Sequence, residues 1–166
     1  MKQTFKLSAL ISALLLVAAC ETPKDGSHSH GADGMNDAAV GYDEYGNPIT
    51  AEQQEIQNTG DRVFFATDSS VITSEGQLTL QRQAALLNQQ PNINVIIEGH
   101  CDERGTREYN IALGERRANA AKNYLVSLGV DSSRVSTTSF GKERPAVLGS
   151  NQNAWAQNRR AVTVVR

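Results

Sequence analysis

The densest hydrophobic run of the chain comes first. From Leu7 to Ala19 only Ser8 and Ser12 interrupt it, and Lys2 and Lys6 precede it. The run is shorter than the roughly 20 apolar residues of a membrane-spanning helix. Its positive start, apolar middle and small-residue end are those of an export signal. Beyond Cys20 the pattern vanishes: residues 21–50 are mostly small and polar, with almost nothing to bury, which predicts a disordered tether. Periodicity resumes near Asp61. Val63-Phe64-Phe65 reads as a strand. Leu80, Ala84 and Leu87 then share one helical face, with Ser74 and Gln77 as a capping box ahead of it and Pro91 as its stop. The β-branched stretch Ile93 to Gly99 reads as a buried strand. Thr106 caps a second helix, whose apolar face is Leu113, Ala120, Ala121, Tyr124, Leu125 and Leu128 and which Gly129 ends. Arg134 to Phe140 and Ala161 to Val165 read as two further strands.

The order βαβαββ predicts an α/β fold, a two-layer domain with both helices packed on one mixed sheet. The first crossovers should be right-handed. Residues 1–19 read as a signal peptide, 20–55 as a flexible tether and 56–166 as the folded domain. The small residues before Cys20 make that cysteine the expected first residue of a mature, lipid-modified chain, as in a bacterial lipobox.

Charge separates the parts. Residues 21–50 carry −5 and residues 51–166 carry +1. A near-neutral domain lacks the basic excess of a nucleic-acid binder. With Cys20 lipidated, Cys101 stands alone, so no internal disulfide is expected. His28 and His30 lack further ligands around them, and no metal or cofactor site is expected.

Chemistry concentrates between the second strand and the second helix, in Glu98-Gly99-His100-Cys101-Asp102-Glu103-Arg104-Gly105-Thr106. Asn110, Leu113 and Arg117 come next, at spacings that put them on one helix face, and side chains there lean toward the helix N-terminus, where Asp102 lies. Two arrangements satisfy these residues. Asp102 and Arg117 pair with each other and lock loop to helix, or they receive a zwitterion, ammonium on Asp102 and carboxylate on Arg117. His100 and Cys101 are neighbours on opposite sides of an extended chain, a poor geometry for a catalytic dyad. The basic pairs Arg116-Arg117 and Arg159-Arg160 are weak evidence for a polyanion in so neutral a domain.

The run Glu98 to Ala118, with Asp-Glu-Arg-Gly-Thr and then Tyr-Asn-Ile-Ala-Leu-Gly-Glu-Arg-Arg-Ala, resembles the domain found at the C-terminus of outer membrane protein A. Its form is similar to that of the peptidoglycan-associated lipoprotein family. Val63-Phe64-Phe65 with Asp68-Ser69-Ser70, Ser139 to Pro145, and Asn158 to Val162 resemble the same family in the same order. The resemblance implies a non-enzymatic outer-membrane lipoprotein with its domain in the periplasm. It implies binding to the diaminopimelate residue of peptidoglycan stem peptides and partnership with the Tol β-propeller and other Tol components. Carried onto this sequence, the ligand aspartate is Asp102 and the ligand arginine Arg117. Arg104 and Leu113 match further contacts, Asp68 and Ser69 match the loop that closes over the ligand, and Asn110 matches a loop-ordering asparagine. Thr67 stands where phenylalanine is frequent, and Cys101 where alanine or threonine is common. Glu21 after the lipidated cysteine fits outer-membrane delivery. The competing expectation is a wall-modifying enzyme that uses Cys101.

Overall fold

A computed structural model describes residues 41–43 and 46–166. The signal peptide, Cys20 and most of the expected tether lie outside the described residues. A small hairpin, β1 (Gly41–Tyr42) and β2 (Pro48–Ile49), leads into helix α1 (Ala51–Thr59). Next come β3 (Arg62–Phe64), α2 (Ser74–Gln89), β4 (Val95–His100), α3 (Arg107–Ser127), β5 (Val135–Gly141), α4 (Gln152–Asn158) and β6 (Arg160–Val165). The main sheet runs β3-β6-β4-β5, and it is mixed: β4 and β5 are parallel, while β6 lies antiparallel to both β3 and β4. The last strand thus inserts between the first and second strands of the domain.

The α/β layering agrees with the hydrophobic pattern. Leu80, Ala84 and Leu87 of α2 and Ala118, Ala121 and Leu125 of α3 pack with Val63, Val95, Ile97 and Val135 of the sheet, all buried. Helix α3 approaches the sheet closely because two glycines meet. A Cβ on Gly99 would lie 1.9 Å from the Gly114 carbonyl oxygen, and one on Gly114 would lie 2.3 Å from Ser139 Oγ. Neither position has room for a methyl group.

The structure corrects the expected tether boundary. Order does not wait for Asp61, and the segment up to residue 55 is not all tether. Asp43 accepts from the Asn47 backbone N–H (2.8 Å) and side-chain amide (2.9 Å), closing the hairpin turn. Thr50 caps α1 by accepting from Gln53 N–H, and Ile56 is fully buried in the core. One strong anchor per nine-residue helix leaves too little periodicity to see. Helix α4 is absent from the expected order for the same reason; it is seven residues long, with Asn151 as its cap and Ala154 buried. The cap of α2 is also shifted: Thr73 Oγ1, not Ser74, accepts from Gly76 N–H at 3.1 Å. Thr106 does cap α3, accepting from Tyr109 N–H, and Gly129 (φ +93°) lies just past its end.

Candidate functional site

The register between β4 and β5 slips at Gly99/His100, where Phe140 is skipped and His100 pairs with Gly141. A bulge turns the strand and re-aims the residues after it. Here those residues are Cys101-Asp102-Glu103-Arg104-Gly105, a loop that drops over the N-terminus of α3. Asn110 holds it there, its side-chain amide donating to the Arg104 (2.8 Å) and Thr106 (2.9 Å) carbonyls. Gly105 takes φ +91°, which only glycine adopts without strain. From the far side Lys142 Nζ donates to the Gly105 carbonyl at 2.8 Å.

The loop closes one wall of a cavity of about 300 Å³, lined by Thr67, Asp68, Cys101, Asp102, Arg104, Gly105, Tyr109, Asn110, Leu113, Arg117 and Arg159. Of the residues singled out in the sequence, Thr67, Asp68, Asp102, Arg104, Asn110, Leu113 and Arg117 meet here. Ser69 does not reach the lining. Its carbonyl accepts from Arg117 Nε at 2.8 Å and its hydroxyl from Val71 N–H at 3.1 Å. A larger hollow, about 550 Å³, lies beside α1 and β6; charged side chains line it too, among them Glu52, Asp61, Arg62, Glu98 and Arg144, with Asp61 and Arg62 paired at 2.8 Å, but none of the binding residues expected from the sequence lies there.

Of the two arrangements read in the sequence, the direct ion pair is not formed: Asp102 and Arg117 each bond elsewhere. Arg104 grips the Asp102 carboxylate bidentately, Nε to Oδ1 at 3.1 Å and Nη2 to Oδ2 at 2.7 Å, and adds its own backbone N–H. Arg159 Nη1 reaches Oδ2 at 3.3 Å. Burial alone would push the Asp102 pKa up; the hydrogen bonds from Arg104 and Arg159 outweigh it and hold the carboxyl below its usual value. Arg117 is fully buried, and its hydrogen bonds go to backbone carbonyls: Ser69, His100 (2.8 Å) and Ala66 (3.1 Å). Its remaining contacts are the Cys101 thiol at 3.3 Å and the Phe65 ring, 5.3 Å from the guanidinium. Among the described residues it makes no ion pair. Burial lowers its pKa from the ordinary arginine value. Three guanidinium groups therefore border the cavity against the single buried carboxylate of Asp102. Asp68, in the left-handed region at φ +53°, accepts from the Tyr109 hydroxyl across the cavity mouth.

Sequence reasoning missed Arg159 and Tyr109 as wall residues. Arg159 sits 57 positions from Asp102, and no local spacing connects them. Its place in the Asn158-Arg159-Arg160 segment of the family pattern was the available signal.

Cys101 is buried, its thiol donating to the Asn110 carbonyl at 3.3 Å, and burial pushes its pKa up. The ring of His100 stacks on Phe140 (5.5 Å between centroids), with Nε2 3.5 Å from Glu98. A buried, protonated thiol and a histidine turned to another partner do not make a nucleophile and base.

A helix-covered mixed sheet with a small charged cavity where a parallel strand ends defines an α/β domain with a candidate binding site. The model of the OmpA family matches residues 64–159. The chain belongs to the OmpA family. It is 49% identical over 154 residues to a peptidoglycan-associated lipoprotein of Mesorhizobium japonicum, covering 92% of this chain and 87% of that one. A peptidoglycan-associated lipoprotein of Haemophilus influenzae is 40% identical over 162 residues, covering 98% of each. The crystal structure of the peptidoglycan-associated lipoprotein from Burkholderia pseudomallei superposes with a TM-score of 0.62 at 42% identity, covering 64% of this chain and 90% of that one. The C-terminal domain of Helicobacter pylori MotB shares the fold, with a TM-score of 0.60 at 20% identity over 64% of this chain and 84% of that one.

Proposed function

We propose that this protein is an outer-membrane lipoprotein, anchored through lipid on Cys20, whose domain grips peptidoglycan non-covalently from the periplasm. The names of its relatives support the wall as target. One observation carries the mechanism: Arg117, fully buried at the cavity and without a carboxylate partner among the described residues, faces the same space as Asp102. Diaminopimelate offers a free ammonium and a free carboxylate on its far carbon. Asp102 receives the ammonium by giving up one of the four hydrogen bonds that Arg104 and Arg159 make to its two oxygens, and Arg117 receives the carboxylate. Arg104 contacts the same ligand carboxylate, Leu113 packs on the methylenes, and the Thr67-Asp68-Ser69 loop covers the mouth. Asn110 keeps the loop in register. The reading extends to a Tol–Pal system, with the Tol β-propeller and other Tol components as partners; family analogy alone supports that step.

Ligand choice tests the reading. Lysine-type wall fragments keep a side-chain ammonium but lack the second carboxylate, so their binding leaves the guanidinium side of the pocket desolvated without a partner. Such a loss costs about 2–5 kcal/mol. Calorimetry should give diaminopimelate-type fragments at least about thirtyfold higher affinity than lysine-type ones. Equal affinities would overturn the proposal.

A further inference from the structure

We propose that Trp155 is a positioning residue for this pocket: it holds Arg104 in place on Asp102 and fixes the loop that carries both. The proposal rests on the ligand reading above, but its evidence is separate. Trp155 lies on α4, and its spacing to Arg159 is i to i+4, so both side chains leave on one side. Both reach the same loop by different routes. Arg159 touches Asp102 directly. Trp155 lays its ring under the Arg104 guanidinium, 4.2 Å from carbon to centroid, and its indole N–H donates to Glu103 Oε1 at 2.9 Å.

The physical need for such a prop is visible in Arg104 itself. Its side chain is 39% exposed, far more than that of Asp102. A long exposed arginine samples many rotamers, and freezing one when ligand arrives weakens binding. A ring face under the guanidinium holds the planar fork in one orientation beforehand, because the cation is attracted to the π face. The hydrogen bond to Glu103 stops the intervening loop from lifting away. Helix α4 is itself held by the buried Asn158, whose side chain bonds the backbone of Ala146 and Val147. The prop therefore stands on an ordered base.

The test uses the intact protein and a diaminopimelate-containing tripeptide. Trp155→Ala should weaken tripeptide binding about tenfold, and Trp155→Phe, which keeps a ring face but loses the indole N–H, should recover most of it. In an Arg104→Ala background, Trp155→Ala should cost only a small fraction of that loss, since its contact with Glu103 is all that remains to lose. Trp155 is the only tryptophan of the chain, so its emission should change during titration of the wild type with the calorimetric Kd, and stay flat in Arg104→Ala. Trp155→Ala binding like wild type overturns the proposal. So does an equal loss in the Arg104→Ala background, the mark of a merely structural prop, or a Phe variant no better than Ala. If Trp155→Ala fails to fold, Trp155→Phe and the emission titration decide. A wild type that does not bind the tripeptide overturns the ligand reading itself, and that failure is distinguishable because it appears before any substitution.

Discussion

Two arginines close the two ends of β4, and they differ in what lies beyond them. At the N-terminal end Arg134 donates to the carbonyls of Leu87, Gln90 and Ile93, at distances from 2.6 to 3.0 Å. It satisfies the Leu87 carbonyl in the last turn of α2 and adds a donor to the Gln90 and Ile93 carbonyls of the turn beyond it. At the C-terminal end Arg117 also donates to three carbonyls, and it likewise ties separate segments together. Arg134 is half-buried beside solvent, whereas Arg117 is sealed from water against a cavity that holds Asp102. The hydrogen-bonding pattern is shared; burial and the neighbouring carboxylate are not. A clamp becomes a candidate ligand residue through where it is placed rather than through what it bonds.

Paired substitutions give the sharpest break in that comparison. Each buried carbonyl left without a donor costs about 1–3 kcal/mol. Arg117→Ala should therefore lower unfolding free energy by about 3 kcal/mol or more and remove tripeptide binding. Arg134→Ala, whose carbonyls gain water, should cost about 1–2 kcal/mol and leave tripeptide affinity unchanged. Urea denaturation and calorimetry on the two variants decide; loss of binding in Arg134→Ala would show that the two ends are not independent.

A smaller effect separates the ends by acid. The folded pKa of Asp102 lies below its usual 3.8. Its contribution to stability is therefore complete above that usual value and disappears as pH falls through the lower folded one. Wild type and Asp102→Asn should differ in Tm at neutral pH and converge in strong acid, while Arg134→Ala should show a constant offset through the same range. A difference between wild type and Asp102→Asn that persists unchanged in strong acid would contradict this.

The smallest effect concerns Cys101. Its thiol fills space between Arg117 and Asn110 and performs no chemistry, so Cys101→Ser should cost about 1 kcal/mol or less and bind the tripeptide like wild type. Loss of binding in a folded Cys101→Ser protein would contradict this assignment.

Most of the layered fold was legible because α2, α3 and the long strands carry full periodic faces. The hairpin, α1 and α4 were not, since each buries only one or two side chains. Within the site, the loop-helix unit from Asp102 to Arg117 could be read from spacing, and the Asn110 side chain bonds two carbonyls of that loop. The partner of Asp102 could not. Arg104, two residues away, reaches back to it through the loop's own turn, and Arg159 arrives from the start of the strand inserted at the centre of the sheet. Helix spacing aims Arg117 toward Asp102, but it gives direction only and does not reveal the carbonyls that take the guanidinium instead.

The segment just after β3 has a mechanical consequence. Phe65 exchanges backbone and side-chain hydrogen bonds with Arg159, at 2.9 and 3.0 Å, and the next residues hang on Arg117 through the Ala66 and Ser69 carbonyls. In a tether held by its N-terminal side and loaded at the cavity, tension enters through α1 and β3 and leaves through these two guanidinium groups. That path runs from core elements, with Ile56 of α1 and Val63 of β3 both buried, into the short segment beside the cavity. If the proposed anchoring holds, pulling would draw on that short segment and its two guanidinium groups, so load on the domain and occupancy of the cavity would be coupled.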